Sequence, residues 1–229
     1  MRVFVGTSGW FYDWNPEHSL DWYVAKSGLN AIELNASFYR FPFPNQIKSW
    51  AKKGAGLRWV VKASRLITHT HCFNTPALEL WERFHNLFSP LEEKIDFYLF
   101  QLPPRLTPAI KKTIARFAAS TGLKRRFALE PRHELWFNPA TEEWAEKVPI
   151  TLVSVDAPQL PRWSFNTSGT IYLRLHGRTF WYHHDYTATE LKEIFTELKR
   201  KKPATVYAFF NNDQDMLKNA RQFLKLLCG

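Results

Sequence analysis

Cysteine and long apolar runs are scarce in this sequence, and each scarcity argues against a class of protein. Cys72 and Cys228 are the only cysteines in 229 residues. They lie far apart and in no metal-ligand spacing, which argues against a disulfide scaffold and favours a reducing cytosol. No stretch approaches the ~20 apolar residues that a membrane-spanning helix needs, and no apolar leader opens the chain. We therefore expect a soluble cytoplasmic protein with no membrane partner.

Aromatic and basic residues, in contrast, are abundant. Hydrophobic residues make up 45% of the chain and aromatic residues 16%, a composition typical of a globular protein with a large core. The formal net charge is +10. This charge fits an anionic partner, either a small molecule or a nucleic acid, and it equally fits a solvated basic exterior.

Short β-rich segments alternate with segments of helical periodicity along the whole chain. Strands are predicted at residues 2–5, 31–35, 58–63, 96–102, 127–130, 150–156, 171–176 and 205–210. Helices are predicted at residues 20–26, 44–53, 77–88, 108–119, 139–147, 191–198 and 220–227, the fourth with Thr107 as N-cap and Pro108 as first helical residue. A loop replaces the helix between strands six and seven. Eight strands with seven helices favour an α/β fold, a single (β/α)8 TIM-type barrel over residues 1–229, with a doubly wound open sheet as the alternative.

Polar side chains stand near the carboxyl end of nearly every predicted strand. Alternate residues of a barrel strand face the interior, and this alternation is expected to turn the following side chains inward: Glu33, Asn35, Lys62, Ser64, Gln101, Glu130, Asp156, Arg174, His176 and Asn211. Active sites of TIM barrels lie at this end of the strands. The alternative is a structural plug, in which the charged members of this set neutralise one another.

Seven motifs in this order resemble those of the YecE-like family, also called domain of unknown function 72. They are GTSGWFYDW (6–14), IELNASFYR (32–40), VKASRLITH (61–69), FQLPP (100–104), LEPRHELWF (129–137), YLRLHGR (172–178) and FNN (210–212) with Asn219 and Ala220. The resemblance implies a TIM-type barrel and no established reaction. The family's motif positions correspond here to Glu33, Asn35, Lys62, Gln101, Glu130, Arg132, His133, Asp156, Arg174, His176 and Asn211.

A weaker resemblance is to the endonuclease IV and sugar-isomerase barrels, in which strands five to eight supply Glu, Asp, His and Glu to divalent metals. The same strands here carry Glu130, Asp156, His176 and Asn211. The first three suit Zn²⁺ or Mn²⁺, but an asparagine lacks the anionic charge of the fourth ligand. Lys62 and Arg174 would also repel a cation. A metal-dependent hydrolase or isomerase is therefore a lesser alternative, and no cofactor is assigned.

The main functional hypothesis is an enzyme that acts on a phosphoester or sugar phosphate at the carboxyl rim of the barrel. Hydrolysis is one reaction that such an enzyme could catalyse. Glu130 is predicted as general base and His176 or His133 as acid, while Lys62, Arg174 and Arg178 hold the anion. The further predicted substrate contacts are Trp10, Glu33, Asn35, Tyr39, Gln101, Arg132, Asp156 and Asn211. The alternative from another class is a non-catalytic nucleic-acid binder that uses the basic and aromatic surface.

Overall fold

A computed structural model describes residues 1–229, and its centre is a sheet of eight parallel strands. The strands are β1 (Arg2–Thr7), β2 (Ala31–Leu34), β3 (Arg58–Lys62), β4 (Ile95–Gln101), β5 (Phe127–Glu130), β6 (Thr151–Asp156), β7 (Thr170–Leu175) and β8 (Thr205–Phe210). Each strand from β2 to β8 pairs with its neighbours in sequence, and β8 also pairs with β1. This order rolls the sheet into a nearly closed barrel, which confirms the TIM-type prediction.

Seven α-helices surround the strands. They are α1 (Leu20–Lys26), α2 (Pro44–Lys53), α3 (Thr75–Leu87), α4 (Lys111–Thr121), α5 (Pro139–Lys147), α6 (Ala188–Arg200) and α7 (Met216–Cys228). No α-helix lies between β6 and β7, as predicted. The start of α4 differs from the prediction: residues Pro108–Ile110 form a 3-10 turn, and the Thr107 side chain makes no capping hydrogen bond. None of the helices has both the length and the apolar character that crossing a membrane requires.

Two apolar layers follow from the alternation of side chains along the strands. One cluster of 49 buried residues fills the space between the strands and the helices. A second cluster of nine buried residues fills the barrel interior, and it includes Val60, Leu99, Ala128, Val153 and Phe209. Because inward residues recur every second position, the next inward side chains along β2, β3, β5 and β7 form a polar layer above this cluster.

The barrel closes at β1 and β2 through side chains rather than a backbone ladder. The Asn30 side chain accepts from the Val5 amide at 2.8 Å and donates to the Val3 carbonyl at 2.9 Å. The Tyr23 hydroxyl accepts from the Thr7 amide at 3.2 Å and donates to the Ala31 carbonyl at 2.9 Å. These contacts satisfy strand-edge groups that would otherwise be buried without partners.

Candidate functional site

Arg174 on β7 is the centre of a buried ion network at the carboxyl end of the barrel. Its side chain has no exposed surface. Two of its nitrogens hold the Glu33 carboxylate of β2, Nε at 2.9 Å and Nη2 at 2.5 Å, and Nη1 donates to Glu130 of β5 at 2.6 Å. A guanidinium matches a carboxylate in this two-pronged geometry. Arg174 is therefore saturated by protein carboxylates, an arrangement that does not fit its predicted role of holding a substrate anion.

Two hydroxyl groups complete the surroundings of Glu33. Ser8 Oγ donates to Oε1 at 2.5 Å, and the Tyr172 hydroxyl donates to Oε2 at 2.6 Å. Burial, with the neighbouring Glu33 charge, raises the pKa of Tyr172 well above its ordinary value, so this hydroxyl keeps its proton. Neither residue was predicted from the sequence. The alternation that turned Arg174 inward also turns Tyr172 inward, and this signal could have identified it.

Glu130 is completely buried between two arginines. Its Oε1 lies 2.5 Å from Arg132 Nη2, and its Oε2 accepts from Arg174. Burial opposes ionisation, but Arg132 and Arg174 together outweigh burial and hold the pKa of Glu130 well below its ordinary value. A carboxylate of such low pKa accepts a proton poorly at neutral pH. The general-base role predicted for Glu130 therefore does not fit its surroundings.

His176 stands next to both guanidinium groups. Its Nε2 lies 3.1 Å from Arg132 Nη2 and 3.3 Å from Arg174 Nη1, and its Nδ1 lies 3.2 Å from the Asn211 side-chain amide. Burial, together with Arg132 and Arg174, lowers the pKa of His176 well below its ordinary value. The imidazole is consequently neutral, which does not fit the proton-donating role predicted for it at neutral pH.

Lys62 at the end of β3 is the buried cation without a counter-ion. Its side chain is buried, and no carboxylate lies within 4.0 Å of its Nζ. The nearest aromatic contact of this atom is the Phe38 ring, whose centroid is 4.0 Å away. Burial, with the positive charge of Arg174, lowers the pKa of Lys62 to about 7.

An open cleft of about 540 Å³ lies at the carboxyl ends of β4 to β7, and Arg132 forms part of its wall. The guanidinium carbon of Arg132 lies 4.7 Å from the centre of the Trp181 ring, which stacks over it. Nη2 contacts Glu130 and His176, whereas Nη1 makes no hydrogen bond and the buried Nε has no partner. Arg132 thus has Nη1 available as a donor to a ligand, unlike Arg174.

Other predicted residues also line this cleft. Gln101 is half-buried at its wall. His133 is half-buried beside it, and its Nδ1 accepts from the Leu135 amide at 3.2 Å, which leaves Nε2 for a ligand. Asn35 does not line the cleft; it is half-buried after β2, and its Oδ1 is shielded from solvent without a hydrogen-bond partner.

The loop after β7 covers the inner part of the site. The rings of Trp181 and Tyr182 both lie with their centres 5.5 Å from that of His176. Gly177 makes this turn possible: its φ is +111°, and a Cβ at this position would lie 2.6 Å from the Phe180 carbonyl oxygen. Neither Trp181 nor Tyr182 was predicted as a site residue. The aromatic run directly after the HGR motif was the available signal.

Asp156 lies outside the barrel interior, contrary to the prediction, and it is paired there with Arg178, which was predicted to hold the anion. Asp156 is adjacent to Leu175 in the sheet, and Leu175 belongs to the cluster on the helix side. The Asp156 carboxylate accepts from the Tyr186 hydroxyl at 3.0 Å and from Arg178 Nε at 3.1 Å. Arg178 also donates to Glu193 at 3.0 Å. Neither residue is positioned to bind a ligand in the barrel.

The residues considered for a metal do not converge. No group of three or more His, Cys, Asp or Glu side chains is arranged to hold a metal ion. Asp156 faces the helices, away from Glu130 and His176, and two arginines occupy the Glu130 carboxylate. The donor set of the metal-dependent alternative therefore does not fit this site.

The two aromatic residues predicted to contact substrate lie in different environments, Trp10 against the core and Tyr39 on the exposed rim. Trp10 packs edge-on against Trp50 and Trp59, with ring centres 5.6 and 6.0 Å apart, and so it contributes to the core rather than to the cleft. Tyr39 is 71% exposed on the rim and contacts the ring of Phe38 edge-on.

Solved structures share the fold of this chain. A DUF72 family protein from Thermotoga maritima MSB8 is 27% identical, covers 99% of each chain and has a TM-score of 0.84. Another from Enterococcus faecalis V583 is 20% identical, covers 99% of this chain and 97% of that chain, and has a TM-score of 0.83. A xylose isomerase domain containing protein from Salmonella typhimurium LT2, at 12% identity, covers 100% and 97% with a TM-score of 0.62, a likeness of fold alone.

Family membership follows from the sequence itself. None of the curated proteins compared with this chain matches it. Residues 4–228 match the family described as "Protein of unknown function DUF72", the family that the seven motifs indicated. The match covers nearly the whole chain, and this chain therefore belongs to the DUF72 family.

Proposed function

We propose that this protein is an enzyme that acts on a small anionic substrate, a phosphoester or a sugar phosphate, in the cleft beside Arg132. The observation that carries the proposal is the state of Arg132. Its guanidinium is held between Glu130 and Trp181, yet Nη1 and Nε have no partner within the protein. A positioned guanidinium with free donors suits a phosphate or carboxylate.

The charges of the buried cluster support the same proposal. Glu33 and Glu130 carry two negative charges, and Arg132 and Arg174 carry two positive charges. These four side chains balance, and a protonated Lys62 adds one uncompensated positive charge. An anionic ligand next to Lys62 would supply the missing counter-charge, because an opposite charge favours the protonated form of an amine.

Lys62 is also suited to proton transfer at neutral pH, whereas Glu130 and His176 are not. Its pKa of about 7 is the value at which a side chain both donates and accepts protons effectively at neutral pH. His133, at the wall of the cleft that Arg132 lines, is the second candidate for proton transfer. An anion site with a proton-transfer group nearby suits reactions of a phosphoester or a sugar phosphate.

Titration calorimetry with inorganic phosphate tests the anion site. We expect binding at pH 6.5 that weakens by about tenfold or more in Arg132→Gln, since a charged hydrogen bond contributes about 1.5–3 kcal/mol. Arg40→Gln is the matched control, because Arg40 is exposed and does not line the cleft. Equal phosphate affinity in Arg132→Gln and the unaltered protein would contradict the proposal.

Nucleic-acid binding is the second candidate function, and the distribution of exposed aromatic side chains favours it. Phe11, Tyr39, Phe43 and Phe180 are each at least 67% exposed, and all four lie on loops at the carboxyl ends of strands. Aromatic rings on such a surface can stack on bases while basic residues contact phosphates.

Salt dependence separates this candidate from the first. A nucleic-acid binder is expected to hold single- or double-stranded oligonucleotides at low salt, with affinity that falls steeply as salt rises. Substituting Phe11 and Phe180 by alanine should weaken oligonucleotide binding and leave phosphate binding at Arg132 unchanged. No binding of either oligonucleotide at low salt would eliminate this candidate.

A further inference from the structure

The backbone of Lys62 is anchored at the end of β3 by a hydrogen bond from Ser37. Ser37 Oγ donates to the Lys62 carbonyl oxygen at 2.6 Å and to the Leu34 carbonyl oxygen at 3.1 Å, which joins the ends of β2 and β3. The Nζ atom of Lys62 lies over the face of the Phe38 ring, 4.0 Å from its centroid. The Lys62 backbone is therefore anchored, and an aromatic ring contacts one side of the amine.

The charged groups around Lys62 come from every neighbouring element. Glu33 lies on β2, Glu130 and Arg132 at the end of β5, Arg174 on β7, and His69 in the turn after β3. Both carboxylates are bound to arginines and lie more than 4.0 Å from Nζ. His69 is itself neutral, since burial and the neighbouring Lys62 charge lower its pKa to about 4. Glu130 and Glu33 partly favour the charged form of Lys62, but no carboxylate in this shell forms an ion pair with its ammonium.

A neutral lysine amine is a nucleophile, whereas a protonated one is not. At pH 7 about half of the Lys62 side chains are neutral, given a pKa of about 7. An ordinary lysine has roughly one neutral side chain in three thousand at this pH. The burial and neighbouring cations that produce this difference are the two devices by which enzymes activate lysine.

We propose that Lys62 Nζ is a nucleophile that forms an imine with the carbonyl carbon of a phosphorylated aldehyde or ketone bound at Arg132. The inference rests on the proposed function, because the phosphate of this ligand occupies the anion site described above. It goes further in assigning a carbonyl group to the ligand and a covalent role to Lys62.

Imine formation between Lys62 and a carbonyl group needs no oxidant or reductant. The Nζ lone pair attacks the carbonyl carbon, the C–O π bond breaks, and a proton passes from nitrogen to oxygen to give a carbinolamine. The C–O bond then breaks, and the oxygen leaves as water with a second proton. The product is an imine, which takes up a proton to become an iminium ion. The iminium carries the positive charge that the free amine lacks, and the phosphate at Arg132 is its counter-ion.

Reductive trapping tests the proposal on the full-length protein. We expect brief exposure to D-glyceraldehyde 3-phosphate with sodium cyanoborohydride at pH 7 to place a stable adduct on Lys62, located by peptide mass spectrometry. Labelling of Lys62 should exceed that of exposed Lys52 by about tenfold or more, given the difference in neutral fraction. Inorganic phosphate should protect Lys62 by competing at Arg132.

Two variants distinguish a nucleophile from a residue that only holds charge. Lys62→Arg keeps a cation at this position but cannot form an imine, so trapping should disappear while phosphate binding is retained. Lys52→Arg should leave trapping unchanged. Labelling spread evenly over the exposed lysines, or phosphate binding by the unaltered protein without an adduct on Lys62, would overturn this inference and leave the proposed function intact. If the unaltered protein does not bind phosphate at all, both this inference and the proposed function are overturned.

Discussion

Arg174 illustrates how a charge can remain buried in the barrel. Transferring a guanidinium from water into a protein interior costs several kcal/mol, and this cost is offset only by close, well-aligned partners. Here Glu33 and Glu130 supply these partners, and Ser8 and Tyr172 satisfy the remaining lone pairs of Glu33. The inner layer is therefore a structural plug, the alternative considered from the sequence, and the cleft above it is the part open to ligands.

Removing one carboxylate of the plug should be strongly destabilising. Glu33→Gln keeps the shape of the side chain but leaves Arg174 with one buried counter-ion, so we expect a loss of about 3–5 kcal/mol in the free energy of unfolding. Asp21→Asn is the control, because it breaks an exposed ion pair with Lys53 and should cost less than about 1 kcal/mol. Urea unfolding monitored by tryptophan fluorescence measures both. Similar losses in the two variants would contradict the account of the plug.

The pH dependence of stability should report the state of Lys62. Its pKa is about 7 in the folded protein and about 10.4 in the unfolded chain. Between these values the unfolded chain binds more protons, so the free energy of unfolding rises with pH through this window. Below pH 7 the cost of charging Lys62 is present in full.

Lys62→Met removes this titration and should flatten the rise. From pH 7.5 to 9.5, the slope of the unfolding free energy against pH should be lower than in the unaltered protein by about 1 kcal/mol per pH unit. At pH 6 the variant should be the more stable of the two. Urea unfolding at several pH values checks both statements, and parallel curves for the two proteins would show that Lys62 does not have a lowered pKa.

At the scale of the elements, the approach of β1 to β2 depends on glycine. A Cβ on Gly6 would lie 2.3 Å from the Ala31 carbonyl oxygen, so an alanine at this position forces the two strands apart. We expect Gly6→Ala to lower the free energy of unfolding by about 1–3 kcal/mol or more. Gly56→Ala is the matched control, since a Cβ there has no atom within 4 Å. Equal stability of the two variants in urea unfolding would mean that the strands are not held this closely.

At the scale of the whole molecule, local patterns were sufficient to predict the barrel and much of its polar layer. The alternation of strands and helices gave the correct order of elements, and the alternation within strands correctly placed Glu33, Lys62, Glu130 and Arg174 inside. Strand β6 was the exception. All six of its residues are buried, so its sequence carries no contrast between inward and outward positions, and Asp156 was assigned to the wrong face.

The parts that could not be predicted depend on contacts between distant segments. Which carboxylate each arginine binds is set by the spacing of β2, β5 and β7 in the closed barrel, and no local pattern encodes it. The position of Trp181 over Arg132 depends on the turn that begins at Gly177. For the same reason Arg132, which begins a loop, was less prominent in the sequence than Arg174, although it is the arginine with free donors.

Anomalous diffraction from a crystal soaked in selenate most directly tests the anion site that we propose at Arg132. We expect an anomalous peak from selenium in the cleft, about 4 Å from Arg132 Nη1, because a selenate oxygen would accept from this nitrogen at about 2.9 Å. This peak should disappear when inorganic phosphate competes. A peak confined to the outer groove lined by Arg162, Lys192 and Arg200, with none beside Arg132, would contradict this proposal.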